Sequence, residues 1–219
     1  LLTKASSFVF LPPLARAQTN IGRFAELYAM VVQALNLGGI TFAALFIILG
    51  PGIVELLYGS RYADVGPLIG WFAVMQMLRL VRVAPTIAAL AFGDTVACLL
   101  ANLGRAACFP ALVFLAFSGQ PLVRFVVVGC IGEVLALALL LGRTKRLHRL
   151  SVGLSLRPLL LSSGAVMGAG AIAAANGPNL SVAAVAGAGC VVVLSCLAAL
   201  LLFPDFRRRL ISAKEIPSA

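Results

Sequence analysis

The sequence predicts an all-α fold, a polytopic bundle of transmembrane helices with about six full spans and a truncated span at the N-terminus. Hydrophobic residues make up 62% of the 219 residues, charged residues make up only 11%, and the mean hydropathy is +1.08. Soluble domains do not have this balance. The apolar runs are continuous, which argues against the alternating strands of an outer-membrane barrel.

Six apolar segments approach or exceed the roughly 20 residues that a helix needs to cross a bilayer. They are residues 27–49, 65–92, 95–117, 122–141, 158–175 and 180–203. An apolar run at residues 1–14 precedes them, and we expect it to be the end of a span from a longer protein. We divide the chain into residues 1–157, with the truncated span, four spans and a basic loop, and residues 158–219, with a final hairpin and a basic tail.

Turn-forming residues separate these segments and set their order. Residues 15–26 read as a polar connector, and a Gly-Pro-Gly triplet at 50–52 is expected to end the first complete span. A short, mildly amphipathic segment follows at 53–64. Gly93 and Asp94 predict a tight turn, as do residues 118–121, and an Asn-Gly-Pro-Asn sequence at 176–179 joins the last two spans.

Basic residues lie unevenly between the two sides of the predicted bundle. If residues 15–26 are cytoplasmic and six spans alternate, eleven of the 17 lysines and arginines fall on the inner side. Cytoplasmic loops of membrane proteins carry such an excess. We therefore expect a multi-pass protein with its C-terminus in the cytoplasm. The inner set is Arg16, Arg23, Arg143, Lys145, Arg146, Arg149, Arg157, Arg207, Arg208, Arg209 and Lys214.

Arg79 and Arg82 lie near the middle of an otherwise apolar span. Each arginine at a helix centre costs roughly 2.5–3.5 kcal/mol, so such residues normally face a protein interior or a wet cavity. With Gln76 and Thr86 they form one polar stripe on a helix, within about 120° of one another. A loop at the two arginines is disfavoured, because the apolar pieces on either side are too short to cross.

Three further polar residues, Asn102, Arg105 and Glu133, lie inside predicted spans. Counted from the inner ends of their spans, Arg82, Arg105 and Glu133 all lie roughly 12–15 Å deep at 1.5 Å per residue. Three arginines against one glutamate leave surplus positive charge, which suits a phosphate or carboxylate ligand. The alternative is that the arginines only tie helices together through backbone carbonyls.

Glu133 has three possible roles. It pairs with an arginine and tunes the cavity, or it takes up a proton in one state and couples transport to that proton, or it is a plain link between helices. The sequence favours the first of these roles.

The sequence has few of the residues that metal sites and enzyme active sites require. The five cysteines lie in apolar segments without a Cys-x-x-Cys, and His148 is the only histidine, so we expect no metal and no cofactor. We find no phosphate-cradling loop, nucleophile elbow or carboxylate pair and therefore expect no enzyme activity. Loop charge explains most of the net charge of +10, so membrane lipids rather than nucleic acid are the expected partners.

In the final hairpin, five glycines predict close helix packing. They are Gly164, Gly168, Gly170, Gly187 and Gly189.

Residues 49–62 read LGPGIVELLYGSRY. This stretch, with Pro-Leu-Ile at 67–69, resembles the "LGP-x-I-x-x-L-[YF]-G-x-x-Y" segment of bacterial polysaccharide (O-antigen type) flippases. FLPPLA at 10–15, and AALAFG at 88–93 followed by Asn102, are also similar to that family. These flippases belong to the multidrug/oligosaccharidyl-lipid/polysaccharide exporter superfamily. The resemblance covers residues 8–141 and corresponds to the C-terminal half of such proteins.

The resemblance implies two six-helix lobes around a central cavity, with this chain in the second lobe. It implies that undecaprenyl-diphosphate-linked oligosaccharide crosses the bacterial inner membrane for surface polysaccharide and lipopolysaccharide biosynthesis, with polysaccharide polymerase machinery as a further partner. No family motif covers the arginines, so their assignment to the diphosphate rests on charge. The predicted substrate-binding residues are Arg79, Arg82, Arg105, Gln76 and Asn102. Alternatives are a lipid II flippase, a drug/cation antiporter of the same superfamily, and a membrane scaffold.

Overall fold

The computed structural model describes residues 2–148, 153–176 and 182–202, and regular structure in these ranges is helical. The predicted all-α fold is therefore confirmed. The helices are α1 (Leu2–Ala17), α2 (Ile21–Tyr58), a 3-10 helix (Ser60–Val65), α3 (Gly66–Ala91), α4 (Thr95–Ala106), α5 (Phe109–Phe117), α6 (Leu122–His148), α7 (Gly153–Asn176) and α8 (Val182–Leu202).

In the part of the chain that the structure describes, four helical segments are long and apolar enough to cross a bilayer, which indicates a membrane-embedded protein. They are Ile21–Tyr58, Leu68–Ala91, Thr95–Phe117 and Leu122–Leu147. Within the described residues, α7 and α8 contribute only the shorter apolar stretches Ser163–Ala173 and Ala186–Ser195. The expected total of six spans is therefore not confirmed. The predicted basic tail at residues 207–214 lies outside the described residues.

Helix α2 passes straight through the Gly-Pro-Gly triplet where the sequence predicted its end, so that prediction is wrong. The helix has 38 residues, which at 1.5 Å per residue is about 57 Å. The Gly-Pro-Gly triplet packs closely against the start of α3. A Cβ added at Gly66 would lie 3.0 Å from the Pro51 ring, and one at Gly50 would lie 2.6 Å from Ile69 Cγ2. This tertiary packing outweighs the donor that the proline removes.

The contact at Gly50 gives a direct test of this packing. We expect Gly50→Ala to destabilise the protein by about 1–3 kcal/mol, because the new methyl group overlaps a stiff β-branched side chain. Gly38 lies on the same helix with no side chain or neighbouring backbone within 4 Å of an added Cβ. Gly38→Ala is the matched control and should stabilise by up to about 1 kcal/mol. Thermal unfolding in detergent measures both, and equal midpoints would contradict the packing.

The predicted connector at residues 15–26 is also mostly helical, so its assignment as a loop is wrong. Only residues 18–20 interrupt the helices, and Asn20 caps α2 by accepting a hydrogen bond from the Arg23 backbone N–H at 3.1 Å. Helix α1 contains both Pro12 and Pro13 and ends at Ala17. It packs on α2 and α3 through a shared core. That core includes Leu14, Phe24, Tyr28, Ala84 and Ile87.

The predicted span at residues 95–117 coincides with a segment long and apolar enough to cross a bilayer, and a break divides it into α4 and α5. Pro110 lies in the first turn of α5 and has no N–H to donate back to the Ala106 carbonyl. The backbone N–H of Ala107 bonds instead to the Leu103 carbonyl at 2.9 Å, and that of Cys108 bonds to the Arg105 carbonyl at 3.1 Å. The break therefore begins just after Arg105.

The corner between α3 and α4 is fixed to the end of α6. Gly93 adopts a positive φ of 73°, which favours glycine, and Asp94 caps α4 by accepting from the Ala97 N–H at 3.1 Å. Arg143 donates to the same carboxylate from Nε at 2.8 Å and from Nη2 at 3.0 Å. One side chain thus stabilises a helix start and an ion pair between two helices.

Two substitutions at Asp94 separate these contributions. Asn is as good an N-cap as Asp, so Asp94→Asn should lose the ion pair and keep the cap. Asp94→Ala loses both and should be less stable than Asp94→Asn by about 1 kcal/mol. Chemical or thermal unfolding of the two variants gives this difference, and equal stability would mean that the cap contributes nothing.

Helices α7 and α8 pack on α2 through a cluster of mostly small residues. The cluster is Ala44, Ile48, Ala169, Ala188 and Val191. The Asn36 side-chain amide also donates to the Pro158 carbonyl and ties α2 to α7. Of the five glycines predicted to allow close packing here, only Gly187 meets a neighbour in the described part of the chain, with Ile172 Cγ2 2.7 Å from an added Cβ. At the other four glycines no neighbour lies within 4 Å of an added Cβ in the described residues, so close packing there is not confirmed.

Candidate functional site

Three arginines from two helices meet one glutamate from a third helix. Nε of Arg79 lies 2.8 Å from Oε1 of Glu133, and Nε of Arg82 lies 3.0 Å from Oε2. Nε of Arg105 lies 3.2 Å from Oε1. We call this group, Arg79, Arg82, Arg105 and Glu133, the arginine cluster.

Small residues allow the three helices to approach closely enough for these contacts. A core of Ala89, Ala97, Ala101, Ala136 and Leu140 joins α3, α4 and α6. Next to the cluster, a Cβ added at Gly104 would lie 2.7 Å from Leu139 Cδ1, and one at Gly132 would lie 3.7 Å from the Arg105 Cα. The residues preceding Arg105 and Glu133 are therefore both glycines at a close helix contact. This contact brings the guanidinium of α4 to the carboxylate of α6.

The four charged side chains differ sharply in exposure. Glu133 has 2% of its side chain exposed, whereas Arg82 has 16%, Arg79 has 34% and Arg105 has 39%. A buried carboxylate without partners would carry a large desolvation cost. Three guanidinium groups offset that cost and leave a formal surplus of two positive charges on the exposed side of the cluster.

The contacts with Glu133 are all made by the Nε edge of the guanidinium group. Arginine has five N–H donors, and four of them belong to the two Nη atoms. Nη2 of Arg79 lies 4.0 Å from the Met75 sulfur, which is a weak acceptor. The Nη edges are the donors that a second anion would use, because the Nε edge already carries the carboxylate.

A cavity of about 600 Å³ opens beside the cluster. Its lining contains all three arginines, and Glu133 is not part of it. The lining residues are Ser7, Phe8, Arg79, Arg82, Val83, Thr86 and Arg105. Thr86 donates from its hydroxyl to the Arg82 carbonyl at 2.8 Å. The cavity therefore combines guanidinium donors with the apolar side chains of Phe8 and Val83, which suits an anion attached to an apolar group.

The structure brings together four of the six predicted site residues and leaves two apart. Gln76 and Asn102 are exposed and do not line the cavity. Ser7, Phe8 and Thr86 line the cavity and are not among the predicted site residues. Thr86 was on the predicted polar stripe, one turn beyond Arg82, and that position could have identified it. Nothing in the sequence of α1 marks Ser7 and Phe8, because their position depends on how α1 packs.

Within the described residues, no group of three or more His, Cys, Asp or Glu side chains is placed to hold a metal ion. Comparison of the chain with protein-family models, with curated protein sequences and with solved structures found no match. The flippase resemblance and the substrate-binding roles therefore stay predictions. The chain is a helical, membrane-embedded protein with a net-positive arginine cluster at a cavity.

Proposed function

We propose that this chain is part of a transporter that flips undecaprenyl-diphosphate-linked oligosaccharide across the bacterial inner membrane for surface polysaccharide biosynthesis. The observation that carries the proposal is the surplus of two positive charges on three guanidinium groups that line one cavity. A doubly anionic diphosphate matches this surplus, and guanidinium forks bind phosphate oxygens through paired hydrogen bonds.

The position of the cluster also supports transport. Charged residues within transmembrane segments are costly and mark substrate pathways. Arg105 lies in the last turn of α4, next to the break before α5. Substrate sites of many secondary transporters lie near the bilayer midplane and are formed by discontinuous helices. A membrane scaffold would need neither surplus charge nor a cavity at this depth.

A drug or cation antiporter of the same superfamily is less well supported. Cation transport calls for carboxylates that a cation can reach. Glu133, the glutamate of the cluster, is buried behind three arginines and does not line the cavity. The positive field of the cluster would repel a cation. A lipid II flippase remains the second candidate, because lipid II carries the same diphosphate and differs in its glycan.

A deletion strain distinguishes these functions. The flippase proposal expects that loss of the gene abolishes surface-glycan staining and that the full-length gene restores it, with no change in growth in cationic dyes. Sensitivity to the dyes with normal glycan would favour the antiporter. Lysis with accumulation of peptidoglycan precursor would favour lipid II. Normal growth and normal glycan in the deletion strain would overturn the proposal.

A further inference from the structure

We infer that Glu133 is a positioning residue, which fixes three guanidinium groups by their Nε edges so that their Nη edges form a preformed anion site. In this role Glu133 neither touches the ligand nor competes with it for the arginines. The inference rests on the proposed function, because it concerns how the same site binds its diphosphate. It differs from the proton-coupling role and from the role of a plain helix link.

The first step is the position of the carboxylate. Glu133 has 2% of its side chain exposed and is absent from the cavity wall, whereas Arg79, Arg82 and Arg105 all line that wall. An anion that enters the cavity therefore meets guanidinium groups and not the carboxylate. Both can be bound at once, on different edges of the same planar groups.

The second step is preorganisation. An arginine side chain has many rotamers, so ordering three arginine side chains toward one point has an entropic cost. Without Glu133, that cost would reduce the free energy of ligand binding. Glu133 uses both carboxylate oxygens, Oε2 for Arg82 and Oε1 for Arg79 and Arg105. The two helices that carry the arginines are thereby held to one acceptor before any ligand arrives.

For the variant Glu133→Gln, charge alone and the positioning role predict opposite effects on anion binding. Glu133→Gln is nearly isosteric, removes one negative charge and leaves the three arginines with a larger positive surplus. By Coulomb attraction alone this change strengthens binding of an anion. A carboxylate that competes with the ligand would give the same sign. Only a positioning role predicts that the more positive site binds the anion less well.

The experiment measures binding to the purified full chain in nanodiscs, with inorganic pyrophosphate and geranyl diphosphate as the two probes. We expect Glu133→Gln to weaken binding of geranyl diphosphate by about tenfold, as loss of an outer-shell partner does in other preorganised sites. Unchanged or tighter binding by a folded Glu133→Gln protein would overturn the inference. Weakening of both probes assigns the effect to the diphosphate rather than to the prenyl chain.

A second variant covers the case in which Glu133→Gln does not fold. Glu133→Asp keeps the charge and shortens the side chain by one methylene, so it cannot hold all three guanidinium groups at their present distances. It should also bind geranyl diphosphate less tightly, and wild-type affinity would overturn the inference. If the wild-type chain binds neither probe, the proposed function fails and the inference fails with it. If the wild type binds and both Glu133 variants bind equally well, only the positioning role fails.

Discussion

Arg82→Ala should lower transport of the lipid-linked oligosaccharide by about 10- to 100-fold while the protein still reaches the membrane. Arg82 is the most buried of the three arginines and the one that bonds to Oε2 of Glu133. Hydrogen bonds to charged groups contribute about 1.5–3 kcal/mol each, which corresponds to this range. The fold should survive, because Arg79 and Arg105 still contact Glu133. Surface-glycan staining, normalised to the amount of membrane protein, measures the effect.

Two further variants show whether the loss is specific to the cluster. Arg124 is an exposed arginine on α6 whose guanidinium donates to the Gln120 side chain, away from the cavity. Arg124→Ala removes the same charge and should leave transport unchanged. Arg82→Lys keeps the charge without the planar fork and should give an intermediate value. Wild-type transport by Arg82→Ala, or equal losses from Arg82→Ala and Arg124→Ala, would remove the cluster from the mechanism.

Much of the arginine cluster could be predicted from distances along the chain. Counting residues from the ends of their spans predicts one depth for Arg82, Arg105 and Glu133, and in the structure both arginines contact the glutamate. The count works because antiparallel helices in a bilayer share a regular rise per residue. It does not say which edge of a guanidinium faces which neighbour. The Nε contacts, and the position of Glu133 behind the arginines, needed the structure.

The errors in helix boundaries have one physical cause. Sequence signals for helix ends are local, and at Pro51 the packing of neighbouring elements outweighs them. At Pro110 the reverse occurs, because the mostly apolar run at residues 95–117 contains a break between α4 and α5 that its hydropathy does not reveal. Asn102 and Gln76 are predicted site residues because they are polar residues in apolar spans. Both are exposed and neither lines the cavity, which sequence position alone could not determine.

Gly132→Leu should separate α4 from α6 and abolish transport without replacing a charged residue. A Cβ added at Gly132 would lie 3.3 Å from the Cys108 sulfur and 3.7 Å from the Arg105 Cα, so the remaining leucine atoms have no room. The neighbouring helix must move, and Arg105, whose 3.2 Å contact with Glu133 is the longest of the three, should lose that contact first. Overpacking of this kind costs about 1–3 kcal/mol.

Gly142→Leu is the matched control for this substitution, because Gly142 lies on the same helix with no side chain or neighbouring backbone within 4 Å of an added Cβ. We expect it to transport normally. An engineered cysteine pair across α4 and α6 would report the separation, with slower cross-linking in Gly132→Leu than in Gly142→Leu. Normal transport by Gly132→Leu would mean that transport does not require the contact between Arg105 and Glu133. Loss of transport with unchanged cross-linking would place the cause outside the contact between α4 and α6.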